Sequence, residues 1–305
     1  MILRERHSFG DGSTPIEAIA LSPDGQVLAT SHAVYPGSPA ASHVRFWQMP
    51  DGREIRRLTP DDRAGGPLAF SADGKLLASG SRFGEKAVRI WEVDTARPVC
   101  NLPHADLVKS VAFSMDGRWL ATAAGKPGIW DAKSWQEVRA LEGLKDYATS
   151  VAFSPDSQLL ATAAFNRDRR VVAWNCESWT IAGSFAEHEE GAMRAAFSPD
   201  GRWLAAGTNY RELKLWEVAT GTQAWSRKGH ASGIHALAFS PDGRWLASTS
   251  NETIKLWSVE KGDEVFSQQG HKQHVWGVVF TPDGKSLISG GWDGMIRMWE
   301  VAPQA

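Results

Sequence analysis

The sequence predicts an all-β fold: a seven-bladed β-propeller of four-stranded antiparallel blades, with residues 1–305 forming one domain. Three observations predict it. A hairpin signature recurs seven times, a Trp-terminated strand follows each copy, and the first residues of the chain supply a strand that the last repeat lacks.

The hairpin is the clearest element. FSPDGRWLA occurs at 197–205 and again at 239–247, with FSMDGRWLA at 113–121. Looser copies are LSPDGQVLA at 21–29, FSADGKLLA at 70–78, FSPDSQLLA at 153–161 and FTPDGKSLI at 280–288. The widest interval between turn aspartates, Asp24 to Asp73, is 49 residues, and the narrowest, Asp116 to Asp156, is 40. VAFS and its relatives read as the innermost strand. Pro-Asp-Gly reverses the chain, since Pro presets φ, Asp bonds the turn and Gly takes the left-handed position. RWLAS returns as the second strand. The third is a short aliphatic run ending at Trp47, Trp91, Trp130, Trp174, Trp216, Trp257 or Trp299. A fourth follows a polar loop, as in Glu137-Val138-Arg139-Ala140-Leu141. A lone four-stranded meander leaves both faces uncovered, so the units must stack.

The last unit stops after its third strand, at Trp299-Glu300-Val301, whereas Met1 to His7 resembles the fourth strands elsewhere. The N-terminal strand is therefore expected to complete the last blade. Closure of this kind removes an exposed sheet edge.

Composition sets outer bounds. A formal net charge of −2 argues against a nucleic-acid or anionic-membrane partner. No apolar run reaches bilayer length, and the first residues do not read as a secretory signal. Cys100 and Cys176 lie in non-neighbouring blades, so no disulfide or shared metal is expected, and a cytoplasmic location is the simplest reading. No cofactor motif is present.

The repeat length, the Gly-His pair before the first strand and the Trp closing the third resemble the WD-repeat propellers over essentially the whole chain. The SPDGRWLA wording looks like bacterial members of that family. The resemblance implies a buried His, Ser/Thr, Asp and Trp network within each blade. His271, Ser289, Asp293 and Trp299 match it fully in the last blade. The sixth has His230, Ser248 and Trp257, with Asn251 where Asp is usual. The fourth has Thr162, Asp168 and Trp174, with Leu144 in the His position. The third has His104, Thr122 and Trp130, with Ala124 for Asp, and the fifth has His188 and Trp216, with Ala206 and Tyr210 at the other places. The first and second blades keep Thr30 or Ser79 and Trp47 or Trp91, and are expected to lack the rest. His–Ser–Asp sets can pass for hydrolytic machinery, but their partial recurrence from blade to blade marks them as structural. Glu187-His188-Glu189-Glu190 likewise reads as a solvated acidic loop rather than a metal site, since His188 keeps the register of the structural histidines.

The resemblance also implies that partners bind the narrower face, made of the loops leading into the first strand and those joining the second to the third. From the first set come Glu17, Lys109, Tyr147, Thr149, Met193, His235, His274 and Trp276. From the second come Arg82, Phe83, Arg167, Asn209, Tyr210 and Trp292. Of 15 tryptophans, all but Trp276 and Trp292 fall on third strands, returning strands or near fourth strands. These two, with His274 and His235, are the candidate hot spot, with Tyr147, Lys109, Arg167 and Tyr210 around it. The competing reading has the rings packing on each other or plugging the channel. His32 to His43 lengthens the first blade's second-to-third connection, as a tolerated insertion or else a mobile binding loop, and Asn166 to Arg170 is a small basic cluster that reads as solvated or else as a contact for an acidic partner or a phosphate backbone.

The expected function is a non-catalytic, monomeric scaffold or adaptor with protein partners in a larger complex. The alternative is a sensory or regulatory domain of a larger bacterial signalling protein carrying a kinase, protease or nucleotide-binding switch. An enzyme with its site in the central channel is disfavoured, because the innermost strands VAFS, AAFS and LAFS read as small and apolar.

Overall fold

The structure, a computed structural model, describes residues 2–32, 42–58, 65–81, 86–165, 168–185 and 191–302. Within them the chain forms seven four-stranded sheets, each antiparallel throughout. Six sheets take their strands in sequence order. In the seventh, β1 (Ile2–Phe9) pairs with β28 (Ile296–Ala302), which continues through β27 (Ser286–Gly291) to β26 (Val275–Phe280). Leu3 lies opposite Val301 and Phe9 opposite Ile296, so the N-terminal strand closes the ring as the sequence predicts.

The core lies between blades rather than within them. Ala78, Val88 and Ile90 of the second blade pack with Val111, Phe113 and Leu120 of the third. Leu28 and Trp47 of the first pack with Ile288 and Ile296 of the last. Each sheet thus covers its neighbour's face.

The hairpin turns repeat atom for atom. The Ser22 hydroxyl donates to Asp24 Oδ1 at 2.6 Å, and that oxygen accepts the Gln26 amide at 2.9 Å. Serine or threonine and aspartate repeat the hydroxyl bond in all seven blades. The hydroxyl bonds hold Asp24, Asp73, Asp156 and Asp283 below the ordinary carboxylate range. Gly25 takes φ 73°, and in the fourth blade Ser157 adopts φ 60° in the glycine's place. Gly25 faces Pro282 of the neighbouring blade's turn, as Gly74 faces Pro23, so adjacent turns interlock.

Each fourth strand carries a β-bulge beside the Trp that ends the third. In the first blade the register slips between Phe46 and Trp47, and in the last between Glu5 and His7. Bulges twist an outer edge away from further strand pairing. Among the described residues, no helix is long and apolar enough to cross a membrane.

Candidate functional site

The His–Ser–Asp–Trp set of the last blade is fully assembled and fully occupied. Trp299 Nε1 donates to Ser289 Oγ at 2.9 Å, and that oxygen also meets His271 Nε2 at 2.7 Å. His271 Nδ1 lies 2.9 Å from Asp293 Oδ1, and Asp293 Oδ2 accepts the Lys272 amide at 3.1 Å. The serine oxygen accepts from an indole inside the blade, and the residue is fully buried.

The other blades vary this plan. In the sixth, Ser248 Oγ joins His230 Nε2 at 2.6 Å and Trp257 Nε1 at 2.7 Å. Asn251 does not substitute for aspartate there: it makes the tight turn at φ 48°, and His230 Nδ1 is left without a hydrogen-bond partner. In the third, His104 Nδ1 meets the Leu102 carbonyl at 2.8 Å instead. In the fourth, Asp168 keeps its role without a histidine, accepting the Lys145 amide at 3.0 Å and the Arg170 guanidinium at 2.8 Å. The first blade corrects the sequence reading. Its Thr30 and Trp47 do have a histidine, His32, which comes from the returning strand (Val27–His32). His32 Nε2 lies 2.9 Å from Thr30 Oγ1, and His32 Nδ1 lies 2.9 Å from Thr14 Oγ1. Its ring stacks on His43 at 4.7 Å, and His43 accepts from the buried Arg45, which pairs with Asp11 at 2.7 Å. His188 and the acidic stretch around it, the loop residues 33–41, Arg82, Phe83, Asn166 and Arg167 lie outside the described residues.

The loops leading into the innermost strands carry a second series of bulges. The register slips at Glu17, Thr149, Met193 and Trp276, the same position in four blades. A bulge re-aims the side chain it carries. Glu17, Thr149, Met193 and Trp276 all line the channel mouth, and Lys109 holds the equivalent position in the third blade. His235 holds it in the sixth, its amide donating to the Thr249 carbonyl at 2.9 Å.

Four predicted residues meet on the last two blades. Trp276 is sandwiched, with the His235 ring on it at 4.4 Å and 23° and the Trp292 ring at 5.5 Å and 19°. His274 closes the set edge-on, 5.5 Å from His235 and 5.1 Å from Trp292. The rings do pack on each other, as the competing reading has it. All four remain half-buried. The Trp292 amide donates to the His274 carbonyl at 2.9 Å, which ties the two loops together.

The same plan recurs on the third and fourth blades. The Phe165 amide donates to the Tyr147 carbonyl at 3.2 Å, the two rings stack at 5.2 Å, and Lys109 Nζ sits 4.0 Å over Tyr147. Lys109, Tyr147 and Phe165 therefore correspond to His235, His274 and Trp292, with Thr149 where the other patch has Trp276. Phe165 was not among the predicted residues, although it follows its second strand as Trp292 follows β27. Tyr210 stands apart on the fifth blade, 54% exposed.

Between the patches the channel opens into a cavity of about 610 Å³. Its walls are apolar at Leu68, Val111 and Val278, but Glu17, Lys109 and Arg194 also line it. The small, apolar reading of the innermost strands is thus corrected at their narrow-face ends. Cys100 and Cys176 are unpaired, and burial pushes their thiols up to about 11 and about 12. Among the described residues, no group of His, Cys, Asp and Glu is arranged to hold a metal.

Comparison with known proteins agrees with this architecture. A family model described as the IFT122 first beta-propeller matches residues 108–305, and one described as WD domain, G-beta repeat matches residues 68–92. The periodic tryptophan protein 2 homolog of Schizosaccharomyces pombe is 28% identical over 131 residues, covering 42% of this chain and 14% of that protein. The target of rapamycin complex subunit wat1 of the same yeast is 31% identical over 109 residues, 34% of each chain. The small ribosomal subunit protein RACK1 of Caenorhabditis elegans is 30% identical over 76 residues, 25% of this chain and 23% of that one. The chain thus spans about a third or less of each of these relatives. They are eukaryotic, and the bacterial flavour of the repeat wording finds no support in them. With its WD repeats and a family match over well more than half its length, the chain belongs to the family of the IFT122 first β-propeller.

Proposed function

We propose that this chain is a non-catalytic protein-interaction scaffold whose partner docks on the narrow face of the last two blades, centred on Trp276 and Trp292. The observation that carries the reading is the half-buried cluster of four rings, held in place by its own stacking and so offering a preorganised aromatic surface. Lys109, Tyr147 and Tyr210 extend the contact surface around the mouth. Two of the relatives are named as members of larger assemblies, a target of rapamycin complex subunit and a small ribosomal subunit protein, which supports a role in a complex. A near-neutral formal charge of −2 supports a protein partner over nucleic acid. A monomeric propeller in the cytoplasm completes the reading.

A second reading, a regulatory propeller working within a larger protein, is favoured by the 14% of the periodic tryptophan protein 2 homolog that the match covers.

The test is affinity capture from native lysate with the wild-type chain and a Trp276→Ala/Trp292→Ala variant of equal melting temperature. A partner captured by the first and lost by the second supports the scaffold and its site. A partner that survives the substitutions rejects the site, and specific capture by neither favours the regulatory reading.

A further inference from the structure

Away from the narrow face, the fourth strand of one blade lies beside the third-to-fourth hairpin of the next, and side chains lock the two together. Trp225, on the fourth strand of the fifth blade (Gln223–Lys228), is buried in this way. Its indole lies on Gly262 of the sixth blade's hairpin, where a Cβ would come within 2.7 Å of the ring. Its Nε1 donates to the Val259 carbonyl at 2.8 Å. Arg56 of the first blade donates likewise to the Val93 carbonyl of the second. Cys100 of the second blade packs in one cluster with Trp135 of the third.

The junction of the fourth and fifth blades is built without such a lock. Gly183 stands in the place of Trp225: it lies opposite Ala173 as Trp225 lies opposite Leu215, each beside the Trp that ends a third strand. Gly221 stands in the place of Gly262, with φ 67° against 70°. A Cβ on Gly183 or on Gly221 would meet no atom of the described residues within 4 Å. Val218 stands in the place of Val259, their amides donating to the matching Arg202 and Arg244 carbonyls. Val218 is only half-buried, however, where Val93 and Val259 are buried. Among the described residues, no hydrogen bond reaches its carbonyl. Two bare glycines, a half-covered valine and an unmet acceptor leave a slot of the kind that Trp225 fills one blade further on.

We propose that this slot receives a tryptophan side chain of a partner protein, its indole lying on Gly221 and its Nε1 donating to the Val218 carbonyl. A guanidinium can reach such a carbonyl, as Arg56 does, but its hairpin carries Ala96 where the slot has Gly221. Bare glycine backbone leaves room for a ring, as at Gly262. A phenylalanine would cover the valine but leave the carbonyl without a donor. Tryptophan anchors that combine area with one hydrogen bond are common at interface hot spots. The slot is separate from the Trp276 cluster, and its occupation does not depend on docking there.

Nuclear magnetic resonance of the full, isotope-labelled chain titrated with N-acetyl-tryptophanamide tests it. The amides of Gly183 and Gly221 should shift together, with a dissociation constant of about a millimolar. The N1-methylated probe and N-acetyl-phenylalaninamide, which cannot donate, should bind about tenfold more weakly. Free tryptophan should bind no better than the capped form, since the expected occupant lies within a chain. Gly183→Trp lets the protein fill its own slot, and should raise the melting temperature and abolish the shifts. Trp225→Gly should open a second slot, seen as a new shift at Gly262; if that variant fails to fold, Gly183→Trp decides the matter. No shift at millimolar probe overturns the proposal. So does equal binding of the methylated probe, tighter binding of free tryptophan, or a Gly183→Trp chain that melts lower or still binds.

Discussion

Glu5 and Arg297 stand 292 positions apart in sequence, yet Arg297 NH1 donates to both carboxylate oxygens of Glu5 at 2.9 Å, across the seam that closes the ring. This pair decorates the seam; the strand pairing of β1 with β28 makes it. Deleting residues 1–8 strips the last blade of its outer strand and bares the β28 edge. The truncated chain should be insoluble or melt far below the full chain. Glu5→Gln, at a half-exposed pair, should cost under about 1 kcal/mol. Normal solubility and melting of the truncation would show that the ring does not depend on this strand.

Ser289 is the shared oxygen of the last blade's network, and Ser289→Ala orphans both the Trp299 indole and the His271 ring inside the fold. A loss of about 2–3 kcal/mol is expected in denaturant unfolding. Partner capture at a temperature well below melting should be unchanged, because Ser289 and Trp299 lie on strands inside the blade and are themselves buried.

Two buried histidines make stability pH-dependent. Burial, helped by the positive charge of His43 and Arg45, pushes His32 down to about 3. Burial, helped by Lys255 and His235, does the same to His230. Both are neutral in the fold and bind protons more readily when unfolded, near the usual value of about 6.5. Their stabilising effect is complete above that value and declines as pH falls toward 3. By pH 5 the loss amounts to about 2 kcal/mol for each histidine. Melting temperature should fall between pH 7 and pH 5, and His230→Gln should flatten that slope. A slope identical in the variant would rule out His230 as a contributor.

Asp168 tests how much a buried charge depends on its partner. It is almost fully buried and pairs with Arg170 at 2.8 Å, whereas the Asp242–Arg244 pair, at 2.7 Å, is open to solvent. Arg170→Met should cost about 3 kcal/mol and Arg244→Met less than about 0.5. Equal effects in thermal unfolding would mean that local packing, not charge burial, governs the fourth blade.

The fold was legible because the same hairpin had to be solved seven times, and each solution leaves Ser-Pro-Asp-Gly or a close variant behind. The seam was legible because one strand was missing at one end and spare at the other. The first blade's network was not, since His32 arrives from inside a strand, two residues after Thr30, rather than from the preceding loop. Trp276, Trp292, His235 and His274 came together as their register implied. Phe165 was passed over because a phenylalanine in a chain of many core aromatics carries no mark of exposure. Arg194 was missed for a geometric reason: the bulge at Met193 breaks the alternation by which inward and outward residues are told apart.

The interlocked Ser-Pro-Asp-Gly turns make one side of the disc nearly the same in every blade. A partner that docked there on the shared features alone would find up to seven nearly equivalent berths, with no fixed orientation and no fixed stoichiometry. The opposite side breaks that symmetry, first in pairs, through the matching Lys109–Tyr147–Phe165 and His235–His274–Trp292 sets, and then completely, through Trp276 where the fourth blade has Thr149. That side therefore presents one blade unlike the other six.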